Sequence, residues 1–486
     1  MEGNDLSETP TTVKESPIVT APSTADRGYR TQNPVTGELV REYPTATDGE
    51  VAEALDAAQA AFEQWSARPL SERAAIVKRA SELLAERSKD IAAVVTKEMG
   101  KRLGEAIGEV RFSAQIFGYY ADNAETLLQH QEITDFGGGT AYIEKLPLGP
   151  ILGIMPWNFP IYQVARFAAP NLVLGNTVLL KHAEITPECA QLVQDLLDEA
   201  GVPAGVYQNL FASHDQVSTI IADPRVQGVS LTGSERAGAA VAEQAGRHLK
   251  KCVLELGGSD PYIVLAADDA RQAAREALQR RMGNWGQACN SNKRMIVMED
   301  LYEDFVDELV TQVSALKPGD PTGRETDIYG PLSSEAAADG LAKQIAEARA
   351  GGATVHVGGE RVEGPDGGGF YLSPAVITDV DEDNSAYREE LFGPACVVYK
   401  VSSADEAVAL ANDSAFGLGS AVFSTDTAQA EEVAARLHVG MANVNLDAAM
   451  GAGLPFGGVK RSGFGRELGP LGIDEFANKR LYAVKG

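Results

Sequence analysis

Residues 150–182 read PILGIMPWNFPIYQVARFAAPNLVLGNTVLLKH, and the fold class turns on them. Two short aliphatic runs, PILGIMPW and NTVLLK, flank a stretch long enough for a helix, with proline and glycine at its margins. Runs of that length between turn residues read as strands buried on both faces, and strand, crossover and strand make a right-handed βαβ unit. Toward the C-terminus the unit repeats through VYQNLF, VQGVSL and KCVLEL, each separated by a helical stretch. The alternation predicts a doubly wound parallel sheet. A second series, PYIVLA, RMIVME, TVHVGG, YLSPAVI, ACVVYKV and SAVFS, predicts a second α/β domain.

On the N-terminal side three helical patterns precede this region: EVAEALDAAQAAFEQW, then SERAAIVKRASELLAERSKDIAAVVTKEM with Ser71 as its cap, then GEAIGEVRFSAQIFGYYADNAETLL. The segment GGGTAYIEKLPLGP reads as a strand or hairpin arm leaving the helices, and the closing KRLYAVKG as an edge strand. Residues 1–28 are polar, rich in Thr, Ser, Pro and acids, and are expected to form a loose arm.

The chain has 486 residues, 44% of them hydrophobic, enough for two or three domains. Its 42 Lys and Arg against 69 Asp and Glu give a formal charge of −27. Nucleic acid and anionic membranes would be repelled, so neither is an expected partner. The acidic surplus is a solvated surface and suits adaptation to high salt. With no signal-like start and no bilayer-length apolar run, the expected location is the cytoplasm. Four cysteines, Cys189, Cys252, Cys289 and Cys396, form no CxxC pair, so neither a disulfide framework nor a zinc or other metal site is expected.

Cys289 stands in the polar stretch NWGQACNSNKR. A thiol of ordinary acidity needs a base or a positive environment to become a nucleophile, and no histidine lies nearby in sequence. Glu255, closing the apolar strand of VLELGGSDPY, is a second candidate. Desolvation there would raise a carboxyl toward the range of a general base, though a strand-end residue reaching solvent fits the spacing equally well. In MPWNFP, Pro156 and Pro160 bracket Asn158, whose amide suits a developing oxyanion or a helix cap. Lys181 and Glu184 follow a strand, where open α/β sheets bind ligands, and Gly233 and Gly238 span a strand-to-helix turn able to hold a pyrophosphate or simply to turn. The GxGxxG spacing of an ordinary Rossmann dehydrogenase is absent.

Taken in order, MPWNFP, KHAE, TGS, LELGG, GQACN, EELFGP and PFGGVKRSGFGRELG resemble the aldehyde dehydrogenase superfamily from about NPVTGE to the C-terminus. The resemblance implies an α/β fold with a Rossmann-like cofactor domain, an α/β catalytic domain and a small β oligomerisation arm. It places the NAD-binding domain at 29–128 and 148–257, the catalytic domain at 258–468, and the arm at 129–147 and 469–486. It further implies oxidation of an aldehyde to a carboxylate. Cys289 would form a thiohemiacetal and then a thioester, Asn158 and the Cys289 N–H would hold the oxyanion, and Glu255 would activate the hydrolytic water. Glu467 would support that water. Trp157, Lys181, Glu184, Gly233, Ser234, Leu256, Glu390 and Phe392 would bind cofactor.

Relatives that prefer NADP often carry a small residue where Glu184 stands. A carboxylate there would repel a 2′-phosphate, so NAD is the expected preferred cofactor, with NADP the alternative. The stretch from WNFP to LLKHA is similar to the succinate-semialdehyde branch, in which an arginine pairs with the distal carboxylate of the substrate. Arg166 holds that place here, where a structural ion pair is its other reading. Two companion anchors of the branch are replaced by Gly283 and Met450, and Ser291 replaces a second, redox-active cysteine. The expected substrate is succinate semialdehyde; 2-oxoglutarate semialdehyde, a broad range of aldehydes, or a non-catalytic role are the alternatives. A homodimer or homotetramer is implied by the arm.

Overall fold

A computed structural model describes residues 28–485; the expected loose arm, residues 1–28, lies outside the described residues except for Gly28. The region opened by PILGIMPW forms a six-stranded sheet in the order Gly463–Phe464, Lys251–Glu255, Gly228–Thr232, Pro150–Met155, Thr177–His182, Tyr207–Asn209. Every neighbouring pair is parallel except the short Gly463–Phe464, which runs antiparallel beside Glu255 and Leu254. Aliphatic residues alternate between two cores with the two-residue period of a strand. Ile151, Val178, Leu180 and Val253 face one core, and Leu152, Leu179, Val229 and Leu254 face the other.

The second series builds a seven-stranded sheet in the order Thr354–Val357, Ala375–Thr378, Ala395–Val401, Arg294–Met298, Pro261–Val264, Gly419–Phe423, Met441–Val444, antiparallel only at its first pair. Met295, Val297, Val376 and Val398 point to one side; Ile263, Ile296, Ile377 and Val397 point to the other. The arm expected at AYIEKLP is the strand Gly139–Pro147, which pairs along its whole length with Ala477–Lys485. Leu481, Tyr482 and Val484 on the latter are exposed.

The long helical pattern after Pro69 differs from the expectation. It is two helices, Leu70–Glu86 and Ser88–Met99, with the break at Arg87, and Ser71 lies inside the first turn without capping it. Pro69 takes the cap position, where its fixed φ and missing N–H suit a helix start. Among the described residues no helix is long and apolar enough to cross a membrane.

Candidate active site

Four loops leave the C-terminal ends of the parallel strands of the first sheet and meet the loop that leads into Arg294–Met298, placing Asn158, Lys181, Gly233 and Glu255 on one edge of the sheet. The turn carrying Asn158 is fixed by a buried ion pair. Lys101 pairs with Glu109 and donates to Asn158 O at 2.8 Å, while Glu109 Oε1 accepts from the Ile161 and Tyr162 N–H groups at 2.9 and 3.1 Å. Beside it His182 is spent as a brace: Nε2 donates to Pro160 O at 2.9 Å and Nδ1 accepts from Ala183 N at 2.8 Å. Burial pulls its pKa down to about 4, so it stays neutral.

Cys289 follows a turn in which Asn284, Trp285 and Gly286 all have positive φ, at 50°, 54° and 75°. Left-handed geometry costs about 1–2 kcal/mol for each residue bearing a Cβ. The surroundings hold it there. Trp285 Nε1 donates to Gly100 O at 2.7 Å, Asn284 N to Glu105 Oε2 at 2.8 Å, and Asn284 Nδ2 to Asn158 O at 2.9 Å. At Gly286 a Cβ would sit 2.2 Å from Gly393 O, so only glycine fits. Asn158 Nδ2 reaches the same loop, donating to Gln287 O at 3.1 Å. Its second amide proton is left for a ligand.

Burial pushes the Cys289 thiol up to about 11, opposed by Arg166 and Lys293 and reinforced by Glu390 and Asp260. None of these four is a histidine. Because the folded thiol is harder to deprotonate, its alkylation should accelerate as pH rises. In the protein without cofactor, iodoacetamide incorporation at Cys289 should climb roughly tenfold per unit between about pH 7 and 9. A plateau below about pH 8.5, read by mass spectrometry, would mean that a base reaches the thiol.

Glu255 is 2% exposed, and neither carboxylate oxygen has a hydrogen-bond partner among the described residues. Burial raises its pKa well above the ordinary carboxyl value, with Arg166 opposing and Glu467 adding to the rise. A buried, unpartnered carboxyl is costly unless something uses its proton affinity.

Arg166, 1% exposed on the helix Tyr162–Leu174, pairs through Nε with Glu467. Its remaining nitrogens meet only hydroxyls, Tyr162 Oη at 3.3 Å and Thr232 Oγ1 at 3.2 Å, and its guanidinium lies 4.4 Å from the Phe456 ring centroid. Burial works against its charge, but Glu467, Tyr162 and Glu255 together raise its pKa. Glu467 thus sits beside Arg166, with Ser230 Oγ donating to it at 3.2 Å. A cavity of about 310 Å³, lined in part by Asn290, Asn292, Arg280 and Phe456, opens beside this cluster. Met450 is exposed and Gly283 offers no side chain, so no companion cation replaces the two missing anchors at those positions.

The residues expected to bind cofactor fall into two groups. Glu390 pairs with Lys293 at 2.9 Å and accepts from Gly258 N at 3.2 Å, and Phe392 packs edge-on against Trp157 with centroids 5.8 Å apart. Farther along the sheet edge, Lys181 pairs with Glu184, and His214 Nε2 lies 3.6 Å from the same carboxylate. Ser234 caps the helix Glu235–Arg247, accepting from Ala237 N at 3.3 Å, and a Cβ at Gly233 would meet Leu231 Cδ2 at an ordinary 3.6 Å. Leu256 lies against Gly238 in that helix.

Sequence reasoning passed over two buried cations here. Arg281, wholly buried, donates to Gly286 O, Ser291 Oγ, Leu391 O and Ala395 O at 2.8–3.1 Å, stapling the Cys289 loop to the Leu391 loop. Ser291, where a second cysteine was considered, is one of its acceptors. Lys293 is the other. No local pattern marks either, since a lysine or arginine next to another cation in sequence reads as surface.

The model of the aldehyde dehydrogenase family matches residues 20–481. The chain is 52% identical over 456 residues to a protein of Deinococcus radiodurans named succinate-semialdehyde dehydrogenase (NADP(+)), covering 94% of each. It is 43% identical to succinate-semialdehyde dehydrogenase (NADP(+)) 1 of Mycobacterium tuberculosis, covering 92% of this chain and 98% of that one. A crystal structure of succinic semialdehyde dehydrogenase from Streptococcus pyogenes in complex with NADP+ matches with TM-score 0.90 at 42% identity, covering 94% of this chain and all of that one.

These relatives overturn the expected preference for NAD. The charge argument took Glu184 as a bare carboxylate facing the ribose. In the structure burial acts to raise its pKa but Lys181 outweighs it, so the carboxylate is ionised and its charge is balanced by the lysine beside it.

Proposed function

The chain belongs to the aldehyde dehydrogenase family, and we propose that it oxidises succinate semialdehyde to succinate with NADP as hydride acceptor. The observation that carries the substrate reading is the Arg166 cluster: a buried guanidinium beside Phe456 whose two outer nitrogens have only neutral hydroxyl partners. A substrate carboxylate would replace two bonds of 3.2–3.3 Å with charge-assisted ones. The names of the relatives support the same substrate and cofactor.

The residues present fit a dinucleotide. The N-terminus of the helix Glu235–Arg247 and the side-chain-free backbone at Gly233 suit a pyrophosphate, Lys181 a 2′-phosphate, and Glu390 with Phe392 the nicotinamide ribose. When bound, the cofactor supplies the acceptor for the hydride lost by the aldehyde carbon. The chain does the rest. The Cys289 thiolate adds to the carbonyl carbon, and the electron pair moves to oxygen, which Asn158 Nδ2 and the Cys289 N–H hold. Once the carbon is at the oxidation level of a thioester, Glu255 takes a proton from water, water attacks, and the thiolate leaves.

In this reading residues 29–128 and 148–257 bind cofactor and 258–468 carry the chemistry. Residues 129–147 and 469–486, with their exposed Leu481, Tyr482 and Val484, join subunits in a homo-oligomer whose location is the cytoplasm.

The test compares NADPH and NADH formation on succinate semialdehyde, 2-oxoglutarate semialdehyde and an uncharged aldehyde, for the wild type and Arg166→Ala. The expected result is highest kcat/KM on succinate semialdehyde with NADP. The variant should raise KM for carboxylated aldehydes by about 10- to 100-fold. It should also lose about 3–5 kcal/mol in a denaturant titration, because Glu467 is left buried without its partner. Equal loss on all three aldehydes would make Arg166 structural and remove the substrate assignment.

A further inference from the structure

The loop that carries Cys289 contains a buried cation to which the reaction above gives no task. Lys293 is 2% exposed, and its ammonium has three protons and three acceptors: Ala288 O at 2.7 Å, Cys289 O at 2.7 Å and Glu390 Oε1 at 2.9 Å. Burying an ammonium carries a steep desolvation penalty. Its acceptors suggest what that penalty achieves.

Ala288 O and the Cys289 N–H are opposite ends of one planar trans peptide, pointing in opposite directions. An ammonium fixed on the oxygen therefore sets the direction of the N–H and strengthens it as a donor through polarisation of the peptide. That N–H has no acceptor among the described residues. The second bond, to Cys289 O, fixes the next peptide, against which Gly258 packs so closely that a Cβ would lie 2.6 Å from the oxygen. The third bond runs to Glu390, in the loop that also presents Phe392, 5.6 Å from the ammonium at its ring centroid.

We propose that Lys293 is a positioning residue of the oxyanion site. It holds the Ala288–Cys289 peptide so that the Cys289 N–H, with Asn158 Nδ2, receives the negative oxygen, and it ties that peptide to the cofactor loop through Glu390. The inference rests on the reading of Cys289 as the nucleophile.

Two reactions of the same thiol separate this role from a purely electrostatic one. Acylation by p-nitrophenyl acetate develops an oxyanion; alkylation by iodoacetamide displaces iodide at a tetrahedral carbon and develops none. Both are run on the full chain without cofactor, and each rate is divided by the thiolate fraction read from its ultraviolet absorbance. Lys293→Met should lose about 10- to 100-fold in acylation per thiolate and in kcat for aldehyde oxidation, a loss below that of deleting an oxyanion donor outright. Alkylation per thiolate should stay within about twofold of wild type. Lys293→Arg, which keeps a charged donor, should recover part of the acylation. Parallel loss in both per-thiolate rates, or unchanged acylation, would overturn the proposal. If Lys293→Met does not fold, Lys293→Gln carries the same comparison with a smaller expected loss. Cys289→Ala serves as the blank: acylation that survives it refutes the nucleophile reading itself and leaves Lys293 out of account.

Discussion

Replacing Cys289 with serine is expected to reduce NADPH formation by at least about 10³-fold while leaving cofactor binding near wild type. The thiol already sits where burial opposes its ionisation, at a pKa of about 11, and only Arg166 and Lys293 help it. A hydroxyl is a far weaker acid, and His182, the nearest histidine to the Asn158 turn, is neutral and engaged with Pro160 O. Nothing in the site would make serine an alkoxide. The groups proposed for the cofactor, Lys181, Ser234 and Glu390, make no hydrogen bond or ion pair with the thiol among the described residues, so NADP should still quench tryptophan fluorescence with a similar midpoint. Activity above about 1% of wild type would mean that another side chain attacks the aldehyde.

Glu255→Gln is expected to separate the two halves of the reaction. The amide keeps the shape of a side chain that is 2% exposed and removes only its capacity to take a proton. One equivalent of NADPH per subunit should appear in a rapid burst. Steady turnover should then fall by about 10²–10⁴-fold, the range of a lost general base. Acid-quenched protein should carry the acyl group on Cys289 by mass. The pH dependence has a definite sign. Since burial raises the Glu255 pKa, wild-type deacylation should accelerate as pH rises through that value and the carboxylate forms, whereas the glutamine variant should lack this phase. A variant with neither burst nor acyl-enzyme would place Glu255 earlier, as the base that ionises the thiol.

The parts of the fold legible in sequence are those set by local period. Strands such as Pro150–Met155 and Thr177–His182 are aliphatic on both faces because both faces are covered, and they announce themselves as unbroken runs. The edge strand Met441–Val444 does not, because one neighbour is missing and none of its four residues is buried. The break at Arg87 was equally hidden: the apolar period runs across it, and both helices pack on the same neighbours, Leu103–Asp122 and Pro187–Ala200, so neither period nor burial marks the turn. In the candidate site, motif order picked out Cys289, Glu255, Asn158 and Arg166, the residues proposed to carry the chemistry. Their partners were another matter. Glu467 reaches Arg166 from a strand-distant loop, and Lys181 neutralises Glu184, so the charge of a single residue misled about the cofactor until its neighbour was known. Lys293 stands beside Arg294 in sequence and reads as a solvated pair, yet both are buried.

The left-handed turn at Asn284, Trp285 and Gly286 has a bearing on when the protein becomes reactive. Its stabilising partners, Gly100 O, Glu105 and the Asn158 carbonyl, belong to three segments that must already have docked on one another. Released from them, the turn relaxes to ordinary geometry, and the Cys289 thiol, no longer desolvated, returns from about 11 toward its ordinary acidity. A partly unfolded chain therefore carries a thiol that is easier to alkylate but lacks the proposed oxyanion pocket, because the Asn158 amide and the Cys289 N–H are no longer held together. Docking of the three segments shields the thiol from chance electrophiles while it builds the geometry proposed for the chemistry.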